Sequence, residues 1–170
     1  MTSMQTAESK TWLTTEAHAR LTAQLEQMTG PTRADVVAKI EAARDEGDLK
    51  ENGGYHAAKE EQGKLEGRIR QLTQLLRDVR VGDTPSGDVV AQGCVVAVDY
   101  GDGDQEDVET FLFANRENAT DDGGKIGALD VYSPESPIGQ AIAGHARGDK
   151  VVFGPRSLKV TIKSIEPYAG

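Results

Sequence analysis

The chain has little of what builds disulfide scaffolds or membrane spans. It carries one cysteine, Cys94, which excludes an internal disulfide and is typical of a reducing compartment. Because Cys94 lies in an apolar run, we interpret it as a small core residue and not as a reactive thiol. The first ten residues lack the apolar core of a signal peptide, and no apolar run approaches the ~20 residues of a membrane span. We therefore expect a cytoplasmic protein with no membrane partner.

Aromatic residues and catalytic motifs are also scarce. Aromatic residues make up 5% of the chain, which argues against one large aromatic core. His18, His56 and His145 lie far apart without metal-ligand spacing, so we assign none of them a catalytic role. The sequence has no nucleophile-elbow motif, no P-loop and no Cys/His nucleophile pair. The acidic loop from Asp99 to Asp107 lacks the spacing of a calcium loop and is interpreted as a solvated hairpin connection.

Basic charge is in deficit. The 170 residues contain 28 acidic and 19 basic side chains, a net charge of −9. Residues 31–80 hold ten of each, whereas residues 81–170 hold fifteen acids and seven bases, so the excess lies in the second half. Such a chain repels a phosphate backbone, and we do not expect it to bind duplex nucleic acid strongly by itself.

The N-terminal half predicts two helices. Thr14 is a suitable N-cap for the first helix, and Gly30-Pro31 predicts a kink or restart within it. Both helices carry a one-sided stripe, which is apolar in the first helix and, apart from Gln62, in the second. The stripe of the first comprises Ala17, Leu21, Leu25, Met28, Val36, Ile40 and Ala43, and that of the second Tyr55, Ala58, Gln62, Leu65, Ile69, Leu72 and Leu76. Two such helices joined by a tight turn form an antiparallel coiled-coil hairpin of on the order of 45 Å.

The C-terminal half predicts a small antiparallel sheet with one short helix, so the fold class is α+β. Ser136 would cap the helix, Pro137 would begin it and Gly144 would end it. The predicted strands are Cys94–Tyr100, Val108–Ala114, Leu129–Tyr132, Lys150–Phe153 and Leu158–Ile165. We divide the chain into a flexible tail (1–10), the hairpin (11–80, with its tip at 44–54), a linker (81–88) and a C-terminal domain (89–170).

The hairpin tip concentrates carboxylates, with Asp45, Glu46, Asp48 and Glu51 within seven residues. Asp48 and Glu51, three residues apart, can point the same way and offer oxygen ligands to a divalent cation. Mg²⁺ takes about six oxygen ligands, so the pair forms only part of a metal site that must be completed elsewhere. An alternative remains open, in which Asp48 caps the second helix and Glu51 folds back on its first turn as a capping box.

The hairpin sequence resembles the bacterial Gre transcript cleavage factors of the GreA type. The matching residues are Ala43-Arg44, Gly47-Asp48-Leu49, Glu51-Asn52, Tyr55-His56-Ala57-Ala58, Glu66-Gly67-Arg68 and, in the second half, Ser136-Pro137-Ile138-Gly139. The pair Gly53-Gly54 departs from the pattern, where a more helical pair such as Ala-Glu is expected. This departure bears on the rigidity of the tip and not on its chemistry.

The resemblance implies an N-terminal antiparallel coiled coil followed by an FKBP-like C-terminal domain. It also implies a partner, bacterial RNA polymerase: the C-terminal domain would dock at the rim of the secondary channel, and the hairpin would enter the channel. The function implied there is cleavage of the backtracked 3′ end of the nascent RNA. The polymerase would remain the enzyme and would hold the Mg²⁺, with no metal bound by the isolated protein.

Site residues carried over by the resemblance lie mainly at the tip. Asp48 and Glu51 would supply oxygen ligands to the shared Mg²⁺ and orient the attacking water. Arg44, Lys50 and Lys59 would steady phosphates or polymerase carboxylates, or serve only as solvated charges, and Asn52 and Tyr55 would support the tip. Ser136 and Pro137 would lie at the docking surface, although the capping role already explains both.

Two other functions remain open. The first is a Gre-fold regulator that occupies the channel without stimulating cleavage, which would differ at the tip. The second is a prolyl isomerase or chaperone that uses the FKBP-like domain. We rank it last because a proline pocket is normally walled by aromatics including Trp, and the second half has no Trp.

Overall fold

The computed structural model of the protein describes residues 11–48, 50–83 and 85–169. The tail predicted for residues 1–10 lies outside them. The chain forms two compact units: a helical unit, His18–Asp78, and a sheet unit, which joins the residues up to Ala17 to those from Val79 onward. Among the described residues, no helix has the length and apolar character needed to cross a membrane.

Two helical arms make up the helical unit, and the first arm begins three residues earlier, within the part of the chain assigned to the sheet unit. The first comprises helix α1 (Thr15–Gln27), a π-helical turn (Met28–Thr32) and helix α2 (Arg33–Arg44), and the second is helix α3 (Gly53–Arg77). The Thr14 hydroxyl accepts a hydrogen bond from the Ala17 amide at 3.0 Å, which confirms the predicted N-cap. Pro31 lies inside the π-helical turn, where the missing amide hydrogen interrupts the α-helical ladder. The kink or restart predicted at Gly30-Pro31 thus takes the form of a π-helical turn, and the backbone is helical on both sides of it.

The predicted apolar stripes form the core of the hairpin. Its buried residues are Val36, Ile40, Ala58, Leu65 and Ile69, flanked by Leu25, Met28 and Tyr55. Arg33 pairs with Glu66 and Lys39 with Glu61, so residue numbers rise along one arm as they fall along the other. The arms are therefore antiparallel, and the hairpin predicted from the two stripes is confirmed.

The sheet unit contains a six-stranded sheet in the order β5-β6-β4-β3-β8-β7. Its strands are β3 (Cys94–Asp99), β4 (Val108–Phe113), β5 (Lys125–Ile126), β6 (Leu129–Tyr132), β7 (Lys150–Phe153) and β8 (Leu158–Pro167). The five predicted strands are all present, whereas the two-residue β5 was not predicted. The sheet is not wholly antiparallel, because β4 and β6 pair in parallel.

One face of the sheet packs under helix α4 (Pro137–Ile142), with Ile138 and Ile142 among the buried residues of that core. Cys94 belongs to the same core and is fully buried. Burial raises the pKa of its thiol, which keeps it protonated at neutral pH. The interpretation of Cys94 as a core residue is confirmed.

The other face of the sheet packs against Trp12, which lies in the first described strand. Thr11–Leu13 forms strand β1, which pairs in parallel with β2 (Val79–Val81). Trp12 is 1% exposed and packs with Leu112, Ala114 and Val131. The structure differs from the predicted division at this point, since residues 11–17 group with the sheet unit and β2 ends at Val81, the first residue of the predicted linker. A three-residue strand is too short to show a period of two, so periodicity could not reveal it.

Candidate functional site: the tip of the hairpin

The first arm ends at two negatively charged residues, Asp45 and Glu46. Helix α2 stops at Arg44, with Asp45 as its C-cap, and the amides of Asp45 and Glu46 donate to the carbonyls of Glu41 and Ala43. Gly47 follows with φ +126°, a conformation that side chains other than glycine rarely adopt. The chain thus begins to reverse direction immediately before Asp48.

Asn52 fastens the second arm to the first. As N-cap of α3, its Oδ1 accepts from the Tyr55 amide at 3.1 Å, while its Nδ2 donates to the Ala43 carbonyl at 2.6 Å. One side chain therefore satisfies an orphan amide at the start of α3 and a carbonyl at the end of α2. The capping-box alternative is wrong, because the cap is Asn52 and both Asp48 and Glu51 precede the helix.

Asp48 and Glu51 lie exposed in this reversal. Asp48 Oδ1 accepts a hydrogen bond from the Lys50 amide at 3.0 Å, which closes a local turn. Among the described residues, the other Asp48 oxygen and the Glu51 carboxylate have no hydrogen-bonding or ionic partner. Both side chains thus keep oxygen lone pairs available in the turn between α2 and α3.

Aromatic and basic side chains surround the base of the tip. The Arg44 guanidinium carbon lies 5.9 Å from the centroid of the half-buried Tyr55 ring. The His56 ring packs edge-on against Tyr55, with 5.7 Å between centroids. His56 Nε2 lies 3.2 Å from the Lys50 carbonyl oxygen. His56 was not assigned to the tip from sequence. Its place in the first turn of α3 was the available signal, since helical side chains lean toward the N-terminus of their helix.

The two predicted lysines occupy different environments. Lys50 is exposed within the reversal, between the two carboxylates in sequence. Lys59 lies farther along α3, where its ammonium group donates to Gln62 Oε1 at 2.9 Å on the same helix. Contact of either lysine with a phosphate or a polymerase carboxylate stays a prediction.

Ser136 and Pro137 lie in the sheet unit and begin α4. The Ser136 hydroxyl accepts from the Gly139 amide at 3.0 Å and donates to the Ser133 carbonyl at 2.7 Å, so its predicted capping role is confirmed. Pro137 is the exposed first residue of the helix. A role for either residue in docking stays a prediction.

Aromatic residues that an isomerase pocket would need instead pack in the core of the sheet unit or bind a neighbouring carboxylate. The hydroxyls of Tyr100 and Tyr132 both donate to the Glu109 carboxylate. This bonding and burial raise the pKa of both phenols. Phe111 is fully buried and packs edge-on against Tyr132, with 4.7 Å between centroids. These contacts give the prolyl isomerase hypothesis no support.

The tip does not contain a complete cation site of its own. Within the described ranges, no group of three or more His, Cys, Asp or Glu side chains lies close enough to hold a metal ion. Mg²⁺ takes about six oxygen ligands, and two carboxylates provide fewer than that. Asp48 and Glu51 could hold such an ion only together with ligands from another molecule.

Comparison with known proteins assigns both halves of the chain. The family described as transcription elongation factor, N-terminal, matches residues 11–81, and the one described as transcription elongation factor, GreA/GreB, C-terminal, matches residues 84–167. A protein of Streptomyces coelicolor named transcription elongation factor GreA is 51% identical over 98% of this chain and 99% of its own length. A Mycobacteroides abscessus protein of the same name is 50% identical over 93% and 95%. The crystal structure of GreA factor homolog 1 of Thermus thermophilus aligns with 23% identity and a TM-score of 0.42, covering 92% of this chain and 99% of that one.

Proposed function

Since the chain belongs to the GreA/GreB family of transcription elongation factors, we propose that it binds bacterial RNA polymerase and stimulates cleavage of backtracked nascent RNA. In this proposal the hairpin enters the secondary channel and its tip approaches the polymerase active site. The polymerase remains the enzyme, and the chain contributes side chains to it.

The observation that carries the proposal is that Asp48 and Glu51 are exposed and take no part in capping a helix. Both side chains are exposed in the reversal between α2 and α3, outside either helix, and neither is used as a helix cap. Surface carboxylates are costly to concentrate, and Asp45 and Glu46 add negative charge at the C-terminal end of α2, where the helix dipole opposes it. A local arrangement that works against stability in this way is typical of a functional site.

Their proposed work is to supply oxygens to a cation that the polymerase holds. When bound, Mg²⁺ neutralises developing charge on the phosphodiester and lowers the pKa of a coordinated water. Asp48 and Glu51 would complete the ligand set and orient the attacking water through their free oxygens. Arg44 and Lys50 lie close enough in sequence to steady phosphate oxygens beside them.

We assign docking to the sheet unit. Ser136 and Pro137 begin the short helix α4, and the exposed Pro137 ring offers an apolar contact that the capping role does not use. Binding affinity would then reside in one unit and the chemistry-bearing side chains in the other. The nascent RNA would be met only through the polymerase, in keeping with the chain's net charge of −9.

Transcript cleavage on halted, backtracked elongation complexes tests the proposal. With purified polymerase and Mg²⁺, the wild-type protein should shorten the transcripts. Asp48→Asn and Glu51→Gln should each abolish this stimulation, because each removes a charged oxygen ligand while keeping the shape of the side chain. Glu61→Gln, on the shaft of the hairpin, is the matched control and should cleave normally.

Competition with labelled wild-type protein should show nearly unchanged polymerase binding by all three variants. Undiminished cleavage by both tip variants would refute their assigned roles. Binding without cleavage by the wild-type protein would instead favour a regulator that only occupies the channel.

A further inference from the structure

His56 contacts the backbone of the tip from the first turn of α3. Its Nε2 atom lies 3.2 Å from the Lys50 carbonyl oxygen. A carbonyl oxygen only accepts hydrogen bonds, so Nε2 carries the proton in this contact. Nε2 is protonated both in one neutral tautomer and in the imidazolium ion, so the contact requires no proton transfer.

With this contact, both backbone polar groups of Lys50 are hydrogen-bonded. The Lys50 amide donates to Asp48 Oδ1 at 3.0 Å, and its carbonyl accepts from His56. That carbonyl belongs to the planar peptide unit that Lys50 shares with Glu51. Holding the plane removes one of the backbone rotations that decide where the Glu51 carboxylate points relative to Asp48.

The rest of the reversal is already fixed by Asn52, which donates to the Ala43 carbonyl at 2.6 Å. Asn52 joins the two helix ends but makes no hydrogen bond to the Lys50–Glu51 peptide among the described residues. His56 is the side chain that reaches this peptide, and its ring is supported by the edge of Tyr55 at 5.7 Å between centroids.

We propose that His56 is a positioning residue, which orients the Lys50–Glu51 peptide so that Glu51 and Asp48 face the same cation. The assignment rests on the proposed function of the tip. It adds a residue that acts through the backbone and does not itself meet RNA or metal.

Two neutral replacements separate the hydrogen bond from the bulk of the ring. His56→Gln places an amide nitrogen near the position of Nε2, whereas the shorter His56→Asn places it near Nδ1, out of reach of the Lys50 carbonyl. In cleavage of backtracked complexes, His56→Asn should be slower by up to about a hundredfold, because misplacing a reacting group by about 1 Å can cost that much. His56→Gln should retain most of the wild-type rate, and both should compete normally for polymerase.

A measurement on the free, full-length protein gives a readout independent of cleavage. The heteronuclear ¹H–¹⁵N NOE of the Glu51 amide should be high in the wild type and in His56→Gln, and low in His56→Asn. Equal cleavage by His56→Asn and the wild type, equal loss in both replacements, or an unchanged Glu51 NOE would overturn the positioning role.

Asp48→Asn, tested in the same cleavage assay, distinguishes failure of the proposed function from failure of the role of His56. If Asp48→Asn cleaves normally, the proposed function of the tip has failed. If Asp48→Asn is inactive and His56→Asn cleaves normally, only the role of His56 is lost.

Discussion

Gly53 and Gly54 begin helix α3 close in sequence to Asp48 and Glu51, and neither position requires a backbone conformation that only glycine adopts. Neither has a positive φ. A Cβ added at Gly53 would meet no atom within 4 Å, whereas one at Gly54 would lie 3.3 Å from Asn52 Oδ1. The two glycines therefore lower the stability of the helical unit through the entropy of the unfolded chain. Only at Gly54 does the Asn52 cap limit the space for a side chain.

Replacing Gly53 by Ala should stabilise the helical unit by about 0.4–1 kcal/mol, because it lowers that entropy without a steric cost. Gly54→Ala, which crowds the Asn52 cap, is the matched comparison and should gain less or lose stability. Thermal unfolding followed by circular dichroism at 222 nm measures both. A lower melting temperature for Gly53→Ala would contradict the open geometry around this residue.

Single residues of the site were predictable to different degrees. The carboxylates Asp48 and Glu51 are marked by composition and by resemblance, and the structure leaves both exposed. Spacing alone could not choose between Asp48 and Asn52 as the cap, because both residue types cap helices well. His56 matches the resemblance, but its contact is with a backbone carbonyl, and a match of side chains does not indicate such a contact.

Ion pairs link the two arms of the hairpin at partly exposed positions. Arg33 binds Glu66 through two hydrogen bonds of 2.8 and 2.9 Å, directly after the π-helical turn. The Arg33 side chain holds the pKa of Glu66 below its usual range. A lowered pKa in the folded state means that the stabilisation is present above the unfolded-state pKa of about 4.3 and is lost as pH falls through the folded value.

Glu66→Gln should therefore lower the melting temperature of the hairpin at neutral pH, and the difference from the wild type should shrink below about pH 4. Glu60→Gln is the control, because its Lys64 partner lies on the same helix and both side chains are more than two-thirds exposed. It should change the melting temperature little at any pH. A pH-independent difference for Glu66→Gln would contradict the assigned charge pairing.

Strand β1 was not predictable from the sequence, and Trp12 anchors it to the sheet unit. Its indole Nε1 donates to the Asp83 carbonyl at 2.6 Å, and its amide donates to Gln92 Oε1 at 3.2 Å. We expect Trp12→Ala to destabilise the sheet unit by about 3–5 kcal/mol through the cavity that it leaves. Trp12→Phe should cost less, because the ring volume is largely kept. Denaturant unfolding of the full chain measures both, and an unchanged midpoint for Trp12→Ala would exclude the anchoring role.

For the whole molecule, the strands long enough to alternate and the helices long enough to show a stripe were predictable. The parallel β4–β6 pairing and the β1–β2 pair were not, because both join segments whose proximity depends on the tertiary fold. The same facts redefine where the chain can be cut. A hairpin fragment of residues 11–80 would carry Trp12 and Leu13 away from the sheet that buries them.

Residues 18–78 are thus the better fragment for separating docking from chemistry. We expect this fragment to compete for polymerase far more weakly than the full chain, yet to support cleavage when added in large excess. Competition binding and transcript cleavage, measured side by side, test this division. Binding by the fragment as tight as that of the full chain would place docking in the hairpin instead.

If Asp48 and Glu51 complete the ligand set of a cation held by the polymerase, as proposed, they should change the Mg²⁺ dependence of transcript cleavage. With wild-type protein at saturation, half-maximal cleavage should occur at a lower Mg²⁺ concentration than with polymerase alone. Asp48→Asn and Glu51→Gln, also at saturation, should lose that advantage, and excess Mg²⁺ should restore part of the rate. An identical Mg²⁺ requirement for the wild type and both variants would contradict the account.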